Sequence, residues 1–170
     1  MTAHPFLVNV AVLRRNVGSR HREERRGRLD GLGTSASRVP EGAEVEVDVV
    51  LESVHGGIMA TGEVRAAWVA ECRRCLGSAS GEVEARVREL FEPVPDPEET
   101  YPLTGDQLDL EPLARDAVLL ELPLAPLCAE GCLGLCPTCG ANLNQGVCAC
   151  PRAGADPRWG ALDVLGGGSE

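Results

Sequence analysis

Eight cysteines carry most of the chemistry that this 170-residue sequence offers, and they fall in two clusters. Cys72 and Cys75 stand on one short turn, while Cys128, Cys132, Cys136, Cys139, Cys148 and Cys150 crowd together further on. Zinc takes four such thiolates in a tetrahedron, and two sulfurs on one tight turn meet the ion without backbone strain. Cys136-Pro137-Thr138-Cys139-Gly140 is a strong form of that turn, because glycine after the second cysteine lets backbone N–H groups swing toward sulfur. Cys148 and Cys150 complete one closed site with Cys136 and Cys139. The remaining four, Cys72, Cys75, Cys128 and Cys132, are expected to hold a second structural Zn2+. A competing arrangement joins Cys72 and Cys75 to Cys136 and Cys139, as in a zinc ribbon of two knuckles, and spacing alone leaves both open.

Other chemistries use the same residue type. An iron–sulfur cluster takes the same thiolate ligands. A disulfide framework of eight cysteines has 105 connectivities, but it belongs to exported proteins. Residues 6–13 are apolar yet broken by Asn9, with no basic residue before them and no small-residue cleavage site, so no signal peptide is expected. No stretch approaches the roughly 20 apolar residues of a membrane span. The expected location is the cytoplasm, where thiols stay reduced unless a metal or a redox reaction uses them. A thioredoxin-like centre needs its Cys-x-x-Cys to open a helix, and no helical pattern follows Cys75 or Cys139. The alternative to a structural role is a cytosolic thiol redox or metal-sensing protein.

Enzymatic chemistry is not expected. An all-cysteine zinc site is closed and gives water no coordination position. His4, His21 and His55 are scattered, and no Ser/His/Asp or Cys/His set accompanies them, so no catalytic residue and no small-molecule substrate is assigned. Gly31-x-Gly33-x-x-Ala36 has the letters of a dinucleotide fingerprint but lacks the preceding strand and the following helix.

Charge supplies the second candidate site. The formal total is -10, which argues against phosphate binding by the whole surface. Residues 1–40 nevertheless hold eight arginines against Glu23, Glu24 and Asp30, so a basic arm precedes an acidic body. Arg14, Arg15, Arg20, Arg22, Arg25, Arg26 and Arg28 are the candidates for contact with phosphate or with an acidic partner. Glu23, Glu24 and the acidic body are competing partners for them. With aromatics at 3%, base stacking and base-specific RNA reading are poorly supported.

The elements that must position these residues are legible from period. Residues 44–49 alternate acidic and apolar residues, as a strand does with one face on a core. Residues 6–12, 58–70 and 82–91 are further strands, and Cys72 to Cys75 lies at the connection between the last two. Residues 93–102 hold four prolines and three carboxylates, the composition of an exposed loop in which no core is expected. Leu110, Leu113, Ala114, Ala117, Val118 and Leu120 then recur at helical spacing, with Asp109 as N-cap, Pro112 in the first turn and Pro123 as terminator. Leu124 to Leu127 runs extended and delivers the chain to Cys128. Residues 156–165 read as a short capped helix that packs Trp159 and Leu162.

The expected fold is α+β: an antiparallel, partly barrel-like β-sheet with one main packed helix and a Cys-rich zinc-binding C-terminal segment. By region this gives a basic arm and sheet over 1–92, a Pro/acidic loop over 93–109, the helix and cysteine-rich segment over 110–165, and a flexible tail over 166–170.

Four blocks of the chain resemble the YceD family, described as large ribosomal RNA subunit accumulation proteins of bacteria and chloroplasts. They are Cys72-Arg73-Arg74-Cys75-Leu76, Leu122-Pro123-Leu124-Ala125-Pro126-Leu127-Cys128, Gly134-Leu135-Cys136-Pro137-Thr138-Cys139-Gly140-Ala141-Asn142-Leu143-Asn144, and Asp156-Pro157-Arg158-Trp159-Gly160-Ala161-Leu162. Gly18-Ser19-Arg20 is similar more weakly. The resemblance implies a non-enzymatic ribosome biogenesis factor that supports accumulation of large-subunit ribosomal RNA. Its expected partner is that RNA or an early large-subunit ribosomal protein.

Overall fold

The computed structural model describes residues 4–151 and Arg158. In chain order the strands are β1 (Leu7–Asn9), β2 (Arg20–Arg28), β3 (Ser37–Arg38), β4 (Glu44–Val54), β5 (Gly57–Glu71), β6 (Ser78–Glu92), β7 (Tyr101–Thr104) and β8 (Gln107–Asp109); the helix α1 is Glu111–Glu121. The order across the sheet is β1-β8-β7-β6-β5-β4-β2, with β3 on β5. The helix expected over 156–165 and the tail over 166–170 fall outside the described residues, Arg158 excepted.

Alternation builds the centre of the sheet. In β4 the residues Val45, Val47, Val49 and Leu51 are all fully buried, while Glu44, Glu46, Asp48 and Glu52 lie between them on the other face. A His55-Gly56 turn returns the chain as β5, which pairs with β4 from Val54↔Gly57 to Val45↔Ala66. On its other edge β5 pairs with β6 over fourteen positions, from Ile58↔Phe91 to Glu71↔Ser78. The tip of this long hairpin is the Cys72 to Cys75 turn.

The sheet curls into a half-barrel, and glycine sets the curl. A Cβ on Gly62, in the middle of β5, would lie 2.1 Å from the Asp48 carbonyl oxygen and 2.7 Å from Val49 Cα, so the β4 backbone crosses where a side chain would stand. Such close approach at a strand interior marks a tight bend. The curl brings the two ends of the sheet together: a Cβ on Gly27 in β2 would meet the Pro5 ring at 2.6 Å and the Phe6 ring at 2.8 Å, just ahead of β1. Phe6, Phe91, Leu108, Leu110 and Leu113 fill the enclosed core.

Three expectations need correction. The sheet is mixed, not purely antiparallel, because β6 and β7 pair in parallel through Phe91↔Tyr101 and Glu92↔Pro102. Residues 93–100 loop back to the end of the strand they left, and the return is pinned by Thr100, whose hydroxyl donates to Glu92 at 2.8 Å and accepts from the Asp96 N–H at 2.8 Å. Residues 93–109 are not one loop either, since β7 and β8 lie within them and bury Leu103 and Leu108, although no residue over 93–102 is buried. The arginine run is the strand β2, paired along its whole length with β4, and not a separate arm.

Helix α1 starts at Glu111, with Pro112 in its first turn, where a missing N–H costs nothing. The Asp109 carboxylate accepts the Glu111 N–H at 2.9 Å, a cap placed one residue ahead of the geometric N-cap, Leu110. Leu113, Ala114 and Val118 are buried against the sheet, but Leu120 is 85% exposed, because the apolar stripe outruns the surface that covers it. Leu122 is extended ahead of Pro123, as the proline ring requires, and the helix ends there. No helix among the described residues is long and apolar enough to cross a membrane.

Candidate metal centres

The structure gathers the eight cysteines into two groups of four, Cys72/Cys75/Cys128/Cys132 and Cys136/Cys139/Cys148/Cys150. Within each group all sulfurs lie within 4.8 Å of one another. The ribbon pairing of Cys72 and Cys75 with Cys136 and Cys139 does not occur.

Each group is built on the same turn. In the first, the Leu76 N–H donates to the Cys72 carbonyl at 2.9 Å and the Arg74 N–H points at Cys72 Sγ at 3.4 Å. In the second, the Gly140 N–H donates to the Cys136 carbonyl at 2.9 Å and the Thr138 N–H points at Cys136 Sγ at 3.4 Å. The residue after the second cysteine is left-handed in both, Gly140 at φ 74° and Leu76 at φ 59°. Leu76 accepts a conformation suited to glycine, which costs about 1–2 kcal/mol, to keep its N–H on the turn. Its side chain stays exposed.

Tertiary contacts bring the other pair of sulfurs to the first turn. After α1 the chain is held by the Ser37 hydroxyl, which donates to the Pro123 carbonyl at 2.9 Å, and by the Arg73 N–H, which donates to the Pro126 carbonyl at 2.9 Å. Cys128 then reaches Cys75 with 3.6 Å between sulfurs, and Cys132 reaches Cys72 with 3.7 Å. A tetrahedron with metal–sulfur bonds of about 2.3 Å has edges of about 3.8 Å, whereas a disulfide needs about 2.05 Å. The spacing therefore fits a single ion per group, and four thiols that enclose one ion leave it no open position.

Electrostatics agree with that fit. Burial pushes the Cys72 thiol up, but N–H groups of Cys75, Cys128 and Arg74 outweigh it and bring the thiol down to about 6. The N–H groups of Cys139 and Thr138 bring Cys136 down to about 6 as well. Cys128 is pushed up to about 12 by the sulfurs of Cys75 and Cys132, and Cys150 is pushed up to about 12 by Cys139. Burial pushes Cys132 up, but the Asn144 amide and the Gly134 N–H outweigh it and lower that thiol too, and the last thiol of each group to ionise needs a cation to offset its neighbours.

The two centres are joined through residues that cysteine spacing does not reveal. Asn144, in the loop between Cys139 and Cys148, donates its Nδ2 to Cys132 Sγ at 3.3 Å and accepts the Leu133 N–H on Oδ1 at 2.8 Å. The Arg74 guanidinium donates to the Cys132 carbonyl at 2.9 Å, and the Arg74 carbonyl accepts the Leu135 N–H at 3.1 Å. The signal in the sequence was one polar residue set among the cysteines, and only its placement gives it a role. Outer hydrogen bonds orient metal ligands, and their loss costs roughly 10- to 100-fold in affinity. Asn144→Leu is expected to weaken metal binding at the Cys132 centre by about tenfold and to leave the Cys136 centre unchanged, as measured by competition with a chromophoric chelator.

The seven candidate arginines are dispersed. Arg20, Arg22 and Arg26 lie on the outer face of β2 and meet Glu52 at 3.0 Å, Asp48 at 2.6 Å and Glu46 at 2.8 Å on β4. Arg22 grips Asp48 with two hydrogen bonds, and these hold the Asp48 carboxyl below its usual range. Arg25 pairs with Glu23 at 3.0 Å on the inner face, and Arg14 pairs with Asp106 at 3.1 Å at the surface. Arg15 and Arg28 have no carboxylate partner among the described residues.

Comparison with known proteins follows the cysteines. The model of the family described as large ribosomal RNA subunit accumulation protein YceD matches residues 60–166, a span that holds all eight cysteines and α1. An uncharacterized protein of Mycobacterium tuberculosis is 36% identical over 143 residues, 79% of this chain and 69% of its own length. One of Mycobacterium leprae is 34% identical over 155 residues, 81% of this chain and 66% of its own length. The chloroplastic large ribosomal RNA subunit accumulation protein YCED homolog 1 of Arabidopsis thaliana is 37% identical over 65 residues, 38% of this chain and 20% of its own length. No solved structure matches the chain.

Proposed function

The chain belongs to the YceD family, and from that premise we propose that it is a non-enzymatic assembly factor that supports accumulation of large-subunit ribosomal RNA. The observation that carries this reading is the extent of the family match, which runs through both cysteine groups and the helix between them. Two chloroplastic plant relatives, similar over 65 and 54 residues of the chain, are named for the same role.

The geometry supports a scaffold in place of a reaction. Each group offers four thiolates to one ion, and Zn2+ suits such a set because it is content with a closed tetrahedron of sulfurs. Zinc would cross-link the β5–β6 tip to the chain after α1 at the first centre and close the following loop on itself at the second. His4 and His21 meet only surface carboxylates, Asp109 and Glu111 in one case and Glu23 in the other. The factor acts in the cytoplasm on large-subunit RNA or on an early large-subunit protein. Of the candidate arginines of β2, Arg20, Arg22, Arg25 and Arg26 offer phosphate contacts only in exchange for ion pairs, each worth at most about 1 kcal/mol, whereas Arg28 has none to give up among the described residues.

Depletion of the protein in its own cells is expected to lower large-subunit ribosomal RNA relative to small-subunit RNA, and the tagged protein should sediment with large-subunit precursors. Unchanged ribosomal RNA after depletion would remove this reading.

A further inference from the structure

The inner positions of β6 read Val83, Ala85, Val87, Glu89 and Phe91, so the fourth of them places a carboxylate where the alternation calls for an apolar side chain. Val87 and Phe91 on either side are buried. Glu89 instead lies half-buried at the bottom of a groove of about 660 Å³ between α1 and the loop that precedes β7. A charge placed against a local rule is expected where function overrides packing.

The groove has an apolar floor and an acidic rim. Tyr101, Leu119, Leu120 and three prolines supply the floor. Leu120 is 85% exposed although it continues the stripe that buries Leu113, so the helix carries apolar surface into the groove that nothing among the described residues covers. Glu98, Glu99 and Asp116 join Glu89 in lining it, and no cationic side chain among the described residues does so. None of the four has a cationic partner among the described residues, whereas Asp106 and Glu111 nearby meet Arg14 and Arg115. The Tyr101 hydroxyl donates to Asp116 at 2.9 Å and fixes that carboxylate in place. The surroundings act in the same direction, since residues 89–121 hold ten carboxylates and a single guanidinium, Arg115.

We propose that this groove docks an extended segment of a partner protein rich in arginine or lysine and interspersed with apolar residues. Its cations meet Glu89, Glu98, Glu99 and Asp116, and its aliphatic carbons cover Leu119, Leu120 and the Tyr101 ring. Long cationic side chains suit such a cleft because their stems are apolar and their heads are charged. Phosphate is repelled by the same rim, so the groove is a protein-binding surface and not an RNA-binding one. That the partner is a basic large-subunit protein rests on the assembly-factor reading, whereas the docking chemistry does not.

The test uses the metal-loaded full chain and a short fluorescent peptide of alternating Arg and Leu, followed by anisotropy at physiological salt. Glu89→Gln with Asp116→Asn is expected to weaken binding by about tenfold or more, and Leu120→Ser by about fivefold. Glu41→Gln with Glu130→Gln, which removes the same charge outside the groove, should change it by less than about twofold. Glu98→Gln with Glu99→Gln, on the exposed loop, repeats the first measurement should the Glu89 variant fold poorly. Equal weakening by the Glu41/Glu130 variant would reduce the effect to net charge and overturn the proposal. So would equal binding of an all-Arg peptide together with indifference to Leu120→Ser, or displacement of the peptide by single-stranded RNA. Depletion that leaves ribosomal RNA unchanged while the peptide behaves as expected would remove the assembly role and keep the docking site. The opposite pair of results would do the reverse.

Discussion

Cys132→Ser is expected to lower the bound metal from two equivalents to one and to free the chain between α1 and Cys136, while the sheet and the second centre stay folded. Residues 128–151 contain no helix and no strand beyond the single bridge Leu135↔Asn142, and the only side chains they bury are those of Cys132 and Cys136. Ordering a backbone costs on the order of 1–2 kcal/mol per residue, and the segment's only apolar packing, Cys132 and Leu135 against Cys72, Cys75 and Ala79, is too small to offset it. Coordination supplies the difference, since a structural zinc site contributes roughly 10–16 kcal/mol. A buried ligand such as Cys132, which also receives Asn144, has no substitute nearby. Native mass spectrometry would count the ions, and limited proteolysis would locate the opened segment. The β4, β5 and β6 strands should stay protected, because their core of Val45, Val47, Ile58, Val64 and Phe91 does not depend on sulfur. Freshly purified protein that holds no metal and yet resists cleavage over 128–151 would contradict the scaffold role.

Gly62→Val should have the largest effect on the sheet itself, a loss above about 3 kcal/mol. The new Cβ would stand 2.1 Å from the Asp48 carbonyl oxygen, a backbone atom locked by the β4 pairing on both sides, so no side chain can move aside to relieve it. Relief requires that β4 and β5 separate at the bend that closes the half-barrel. Gly131→Ala gives the contrast, because a Cβ there meets nothing within 4 Å and should change stability by less than about 0.5 kcal/mol. Thermal unfolding of the metal-loaded protein measures both, and for a chain of this length the first loss corresponds to a fall in Tm of about 6–12 °C.

How far the sequence could be read depended on whether one element's own residues decide its state. Strands β4, β5 and β6 alternate because each has one face in a core and one in water, and α1 shows its stripe for the same reason. Strand β2 has no such signal: Arg20, Arg22, Glu24, Arg26 and Arg28 face outward, and His21, Glu23 and Arg25 take the inner positions. Its conformation comes from the edge of β4 and from ion pairs across it, so composition alone reads it as a charged surface run. Strands β1, β7 and β8 are three or four residues long, too short for a period to show. The parallel pairing of β7 with β6 depends on how the loop over 93–100 turns, and Thr100 makes the bonds that set it.

By itself the sequence determined that this protein carries two sets of four thiolates, that its centre is a sheet of alternating strands, and that a proline-bounded helix precedes the second cysteine cluster. Ligand chemistry and side-chain period are local properties, written in residue type and spacing. Which cysteines stand together was decided only by the tertiary structure, when the β5–β6 tip came to lie beside the chain leaving α1 and Arg73 bonded Pro126. The same holds for Asn144 on Cys132, for the pairing of the arginines with β4 and for the groove around Glu89. Each depends on distances between segments far apart in the chain, and those are fixed by the packing of the whole core.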